Sequence, residues 1–186
     1  METALFVFVP MPHQPTVTLR PLHQQDIEPL ARLANSKKIW DNVRDYFPHP
    51  YSQRDAKTFI NNKGDEDPTQ TFAIEYQGEF AGVMGLERQH DVYRYSGEVG
   101  YWLGEPYWGK GIASQALKDL TDIGFTQFPL ERLYAGVFSH NQASIRVLQK
   151  VGYQLEVISP MGAFKNGQFV DEHRYVMLRR DWVGAT

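Results

Sequence analysis

No cysteine occurs in the 186 residues. Its absence excludes disulfides, thiolate nucleophiles and Cys-ligated zinc together, and fits a reducing compartment. Positive charge is not in excess either: 19 Lys and Arg stand against 22 Asp and Glu, a net charge of −3. That balance offers no polyanion-binding field, so nucleic acid is not an expected partner. Long apolar runs are also missing. The run Ala4–Val9 has no basic flank and is too short for a signal-peptide core, and a bilayer crossing needs about 20 apolar residues. No membrane partner and a cytoplasmic location are therefore expected. His13, His23, His49, His90, His140 and His173 show no metal-ligand spacing, and no metal is expected.

What is present suffices for one packed domain. A chain of this length buries about 70% of its unfolded surface, and 11 Phe, 10 Tyr and 4 Trp supply bulk for a core. Residues 16–180 read as a single domain between a leader, 1–15, and a short tail, 181–186. The leader is a cloning remnant, a disordered stretch or an extra edge strand. As an apolar strand it could pair with a neighbouring copy, which leaves a homodimer open.

Periodicity sets the elements. Strands are expected at 16–20, 71–76, 79–87, 96–103, 132–137, 153–158 and 169–178, with hairpin turns at Gln77-Gly78 and Asn166-Gly167. Helical spacing appears in Ile27, Leu30, Ala31 and Ala34, and again in Ala56, Phe59 and Ile60. Ser52 and Asp55 suit the N-terminal cap of that second helix. Two further helices run from about Lys110, burying Ala113, Ala116, Leu117, Leu120 and Ile123, and from Asn141 to Val151. About seven strands and about four helices in this order predict an α+β fold, a mixed, mostly antiparallel sheet flanked by helices. The stretches 35–51 and 159–169 read as loops.

The segment 98–113, EVGYWLGEPYWGKGIA, carries the chemistry. A buried strand ends in a glycine turn, and a helix opens directly out of it. The first helical turn leaves N–H groups without partners, and the dipole puts positive charge there. Gly109 and Gly111 would let an anion approach those groups, although a tight turn without a ligand needs the same glycines. Ser114 stands where the dinucleotide fingerprint has its third glycine. Lys110 lies between the glycines rather than before a Ser or Thr, as the NTP-binding loop requires.

This turn resembles the acetyl-CoA motif of the GNAT N-acetyltransferase superfamily, Arg/Gln-x-x-Gly-x-Gly/Ala, with Gly111 and Ala113 at the last two positions and Trp108 at the first. The strand Glu98–Leu103, the turn Tyr107–Ala113, Asn141-x-x-Ser144 followed by Gly152-Tyr153, and the segment Arg44–Tyr51 are similar to the Rim-type branch of ribosomal-protein N-terminal acetyltransferases. The likeness runs in the family's order from Val17 to Leu178. It implies an acetyl-CoA cosubstrate whose pantetheine arm pairs with Val99, Tyr101, Trp102 and Leu103. The pyrophosphate would rest on Gly109, Lys110, Gly111, Ile112, Ala113 and Ser114. It further implies that Asn141 bonds the pantetheine arm, a role compatible with an N-cap. Arg146 either approaches the phosphates or faces solvent.

Acyl transfer requires a neutral amine, and an α-amino group, with a pKa near 8, is easier to deprotonate than a lysine near 10.4. Glu98 is the first candidate for general base, working through water, with Glu75 and Glu87 as rivals. A backbone N–H near Trp102 or Leu103 would stabilise charge on the carbonyl oxygen. Leu148 occupies the family's usual proton-donor tyrosine position, so the resemblance passes that role to Ser144, which is otherwise a first-turn capping residue. Ala163 stands where some Rim-type members carry a Glu. Trp40, Tyr46, Phe47 and His49 either shape an acceptor pocket or pack structurally.

The expected activity is direct acetyl transfer from acetyl-CoA to a primary amine, with a protein or peptide N-terminus favoured. A polyamine or an amine-bearing antibiotic is the small-molecule alternative. A non-catalytic acyl-CoA-binding module and a nucleotide-binding protein are the readings from other classes.

Overall fold

The computed structural model describes residues 16–63 and 66–184; the leader strand and its pairing therefore lie outside the described residues. The chain runs β1 (Val17–Pro21), α1 (Ile27–Ala34), α2 (Lys37–Trp40), α3 (Gln53–Lys63), β2 (Thr71–Tyr76), β3 (Glu79–Arg88), β4 (Ser96–Leu103), α4 (Ile112–Gln127), β5 (Arg132–Phe138), α5 (Gln142–Val151), β6 (Gln154–Lys165) and β7 (Gln168–Leu178). The strands form one sheet in the order β1-β2-β3-β4-β5-β7-β6. Every neighbouring pair is antiparallel except β4 and β5.

Local chemistry accounts for most of these elements. Gln77 and Gly78, and likewise Asn166 and Gly167, have positive φ at both central positions of their two-residue turns. That left-handed pair matches the twist of the flanking strands. Ser52 and Asp55 cap α3 reciprocally: the Ser52 N–H donates to Asp55 Oδ2 at 2.8 Å, and the Asp55 N–H donates to Ser52 Oγ at 3.3 Å. Helix α4 buries Ile112, Ala116, Leu117, Leu120 and Phe125 against one sheet face, and α5 joins it there with Ile145 and Leu148. The other face is covered by α1 and α3, with Leu30, Ala34, Ala56 and Ile60 against Ala73, Phe80 and Val83.

Two elements depart from the sequence reading. The described residues form five α-helices where about four are expected, because the Lys37-Lys38 stretch, read as part of a loop, forms the single turn α2. Strand β6 continues past Ile158 to Lys165, with irregular register between Leu155 and Val157 and between Ser159 and Ala163. Most of its residues before Lys165 are exposed, so no alternation marks it as a strand.

One feature of the sheet positions the site. Strands β4 and β5 pair only over Ser96–Glu98 and Arg132–Tyr134. Beyond Glu98, β4 stays with β3 as far as Leu103, while β5 stays with β7 as far as Phe138. The sheet is therefore split along its middle, and the β4 edge from Val99 to Leu103 faces the split without a strand partner.

Candidate active site

An open cavity of about 1100 Å³ occupies this split and extends over the α1–α3 face. Successive side chains of β4 point to opposite faces. Val99, Tyr101 and Leu103 join the α4–α5 core, whereas Trp102 packs on the α1–α3 side, which places Glu98 on that side too. Glu98 and Tyr101 nevertheless both line the cavity, as do Asn141 and Ser144 at the start of α5. The cavity thus reaches groups from both faces of the sheet.

On the α4–α5 side, the Ser144 hydroxyl lies 2.8 Å from the Tyr101 phenol. Burial pushes the Tyr101 phenol up to about 12, so it stays protonated at neutral pH. The Asn141 Oδ1 accepts the Ser144 N–H at 3.1 Å. Asn141 is thus an N-cap whose amide nitrogen is not used in that bond. Leu148 is fully buried in the core and has no chemistry to offer.

On the α1–α3 side, Glu98 is ion-paired with Arg44 from the segment between α2 and α3. Burial disfavours the Arg44 charge, but the Glu98 carboxylate outweighs that cost and holds the guanidinium above its ordinary value. Glu87 stands directly opposite Glu98 on β3, and Tyr134 stands beside it on β5. Glu172 of β7 also lines the cavity. It fits because position 136 is glycine: a Cβ there would come within 3.0 Å of the Glu172 carboxylate. Glu75, in contrast, is held 2.7 Å from the Arg20 Nε on the β1–β2 side, away from the cavity.

The glycine turn lies outside the cavity wall, at the far end of β4. Gly109 and Gly111 have φ of +74° and +78°, and an added Cβ at either would meet nothing within 4 Å. The glycines are thus required by backbone conformation, and the space in front of them is open. Gly111 caps α4, and the first helical bond runs from the Gln115 N–H to the Gly111 carbonyl at 3.1 Å. The N–H groups of Ile112, Ala113 and Ser114 belong to the first turn and have no intrahelical acceptor. The Ile112 side chain is buried in the core, so only its backbone faces the turn. Trp108, where the resembling motif has Arg or Gln, donates its indole N–H to the Leu103 carbonyl at 2.8 Å and ties the turn to the end of β4. Lys110 lies 5.8 and 5.7 Å from the Tyr76 and Tyr107 rings.

The structure thus gathers Glu98, Val99, Tyr101, Trp102, Asn141 and Ser144 in one cavity. Leu103, Gly109–Ser114 and the exposed Arg146 lie outside its wall. Tyr46 and Phe47 line it. Trp40 and His49 do not, and stack on each other with ring centroids 5.7 Å apart. Ala163 pairs with Val170 away from the cavity. The sequence reading missed Arg44 as the partner of Glu98, and missed Glu172 altogether. The alternation of β7, with Tyr175 and Met177 in the core, was the available signal for Glu172. Among the described residues no group of three or more His, Asp or Glu is gathered that could hold a metal ion. Nor is any described helix long and apolar enough to cross a membrane.

A split mixed sheet with a glycine-capped helix following its central strand is a specific arrangement. The profile of the acetyltransferase (GNAT) domain matches residues 16–154, most of the chain. The chain belongs to the GNAT acetyltransferase family. It is an acyltransferase enzyme. GNAT relatives include the spermidine N(1)-acetyltransferase of Escherichia coli (strain K12), 29% identical over 174 residues, covering 93% of this chain and 91% of that protein. The uncharacterized N-acetyltransferase YnaD of Bacillus subtilis is 33% identical over 147 residues, covering 76% and 83%. Two solved structures share the GNAT fold. Mycobacterium smegmatis RimJ in complex with CoA-disulfide has a TM-score of 0.79 at 24% identity, covering 89% of this chain and 83% of that one. Vibrio cholerae spermidine N-acetyltransferase in complex with CoA and spermine has a TM-score of 0.75 at 24% identity, covering 89% and 96%.

Proposed function

We propose that this protein transfers an acetyl group from acetyl-CoA directly to a primary amine, with a protein or peptide N-terminus as the acceptor, as in the Rim-type branch. The observation that carries this reading is the split between β4 and β5. It brings a carboxylate from one face of the sheet and a hydroxyl pair from the other into one cavity. Acetyl-CoA supplies the activated acyl group, a thioester. The free edge of β4 from Val99 to Leu103 offers backbone N–H and C=O groups to its pantetheine arm, except the Leu103 carbonyl that Trp108 engages, and the Asn141 amide nitrogen adds a donor. The N–H groups of Gly109–Ser114 suit the pyrophosphate, with Lys110 and the exposed Arg146 as flanking cations.

Glu98 receives the amine proton, through water, on the acceptor face. Its pairing with Arg44 holds the carboxylate in place over the acceptor face. A backbone N–H near Trp102 or Leu103 stabilises the charge that develops on the carbonyl oxygen. Ser144, hydrogen-bonded to Tyr101, relays a solvent proton to the departing thiolate on the other face and so keeps its own hydroxyl. No covalent enzyme intermediate is needed, and without cysteine none of the thioester kind can form.

Support for a macromolecular acceptor comes from the cavity's flank. Tyr46, which lines it, is 83% exposed, and the β6–β7 hairpin displays Met161, Phe164 and Phe169 to solvent. The second reading is a polyamine. It is favoured by the carboxylates Glu87, Glu98 and Glu172, which line the same stretch of the cavity as Arg44, and by the Escherichia coli relative. Thiol release from acetyl-CoA, measured over a panel of N-terminal peptides, spermidine and aminoglycosides, separates the two. Turnover confined to peptides supports the first reading, and turnover confined to spermidine replaces it with the second. Release unchanged in Glu98→Gln would remove Glu98 from the mechanism.

A further inference from the structure

Lys165 ends β6, and its side chain is only 2% exposed. A lysine is almost never buried so completely unless it is paired, and pairing seldom repays the desolvation. Its ammonium lies 2.6 Å from Asp45 Oδ1 and 3.6 Å from the centroid of the Trp40 ring. The next residue, Asn166, donates to Asp41 Oδ1 at 2.8 Å. The tip of the β6–β7 hairpin therefore grips residues 40–45 at three points. Immediately beside Asp45 are Arg44, which holds Glu98, and Tyr46 and Phe47, which line the cavity.

We infer that Lys165 is a positioning residue: it latches the segment between α2 and α3 against the hairpin, and so places Arg44 and the acceptor wall over Glu98. The inference rests on Glu98 serving the acceptor side, as proposed above. Asp45 is 65% exposed, so its carboxylate remains hydrated whether or not the lysine is there. Replacing Lys165 with methionine removes a buried charge and leaves none behind. Its structural cost is therefore small, whereas its cost to positioning is large. A small displacement of a substrate-orienting group can lower turnover by about a hundredfold.

The test compares Lys165→Met, Lys165→Arg and Glu98→Gln in the full chain. In Lys165→Met, hydrogen exchange should quicken over residues 40–51 and stay unchanged in β2 and β3. Acetyl-CoA should still raise the melting temperature as in the parent. Thiol release with whichever panel amine the parent acetylates should fall at least about tenfold in kcat/KM for the amine, with KM for acetyl-CoA within about twofold. Lys165→Arg, which keeps the charge, should restore much of the loop protection. Unchanged exchange over 40–51 in Lys165→Met, or equal losses on the amine and acetyl-CoA sides, would overturn the latch. If Glu98→Gln is inactive while Lys165→Met behaves as the parent, the latch fails and the Glu98 reading stands. If Glu98→Gln is fully active, the Glu98 reading fails instead, and the exchange data alone decide whether the loop is latched.

Discussion

Substituting Gly111 by alanine separates the two reasons for a glycine there. At φ +78° a left-handed alanine costs about 1–2 kcal/mol. Against that, an unfolded chain loses freedom when Gly becomes Ala, which returns about 0.4–1 kcal/mol. The new Cβ meets nothing within 4 Å, so no clash adds to the sum. The net loss is about 1 kcal/mol, which for a protein of this size lowers Tm by about 2–4 °C. Cofactor affinity should respond far more strongly. A hydrogen bond to a charged phosphate is worth about 1.5–3 kcal/mol, and the methyl group projects into the space where that phosphate is expected. Losing one such bond weakens acetyl-CoA binding by about ten- to a hundredfold. Titration calorimetry with CoA gives the affinity, and a thermal scan of the free protein gives the stability. Gly82→Ala is the control, because its Cβ would lie 2.3 Å from the Trp102 carbonyl oxygen and must damage the fold itself. If Gly111→Ala shows the small Tm loss but binds CoA within about twofold of the parent, the open space is not the phosphate site, and the reasoning from the turn is wrong.

Other substitutions divide along the same lines. Glu98→Gln should lower turnover by about 10²–10⁴ and leave the CoA-induced rise in Tm intact; steady-state kinetics with thermal shift reads both. Asn141→Asp keeps a good N-cap acceptor for the Ser144 N–H but removes the amide donor. Stability should hold while CoA affinity falls, whereas Asn141→Ala should lose both, including about 1 kcal/mol of stability. Ser144→Ala should slow turnover without weakening CoA binding, since its backbone N–H still meets Asn141; unchanged kcat would remove it as the proton donor. Stability should also decline on the alkaline side. Burial holds the Tyr51 and Tyr101 phenols at about 12, while tyrosines of the unfolded chain ionise near 10. Over that window the folded state binds more protons, so stability present below about pH 10 is lost as pH rises toward about 12. A denaturant series across that range should show a decline that is shallower in Tyr101→Phe.

The two ends of the site differ in how far they could be read from sequence, and the difference follows from how each is built. The proposed phosphate end would use backbone N–H groups, and their placement follows from local rules: a strand that ends at Leu103, glycines at positive φ, and a helix with a regular apolar face. Each rule acts within a few residues, so the turn at Gly109–Gly111 stood out before any fold was known. The proposed acceptor end is built from charged side chains whose partners are remote in sequence. Arg44 meets Glu98 from 54 residues away, and Lys165 meets Asp45 from 120. By its own chemistry each of these residues belongs in water, and no periodicity marks the one that will be buried. Strand β6 is legible only as far as Ile158 for the same reason, since residues exposed on both faces show no alternation, and Lys165 at its tip lies in a stretch that reads as a loop. On the proposed reading, acceptor choice is written mainly in long-range ion pairs. Substitutions that alter specificity are expected at Arg44, Asp45, Lys165 and Glu172 rather than in the glycine turn. A charge reversal at Glu172, a side chain that Gly136 accommodates and no hydrogen bond among the described residues restrains, should shift the ranking of the amine panel while leaving KM for acetyl-CoA in place. A ranking unchanged in Glu172→Lys would mean that acceptor choice is made elsewhere, on the exposed apolar flank formed by Tyr46, Phe164 and Phe169.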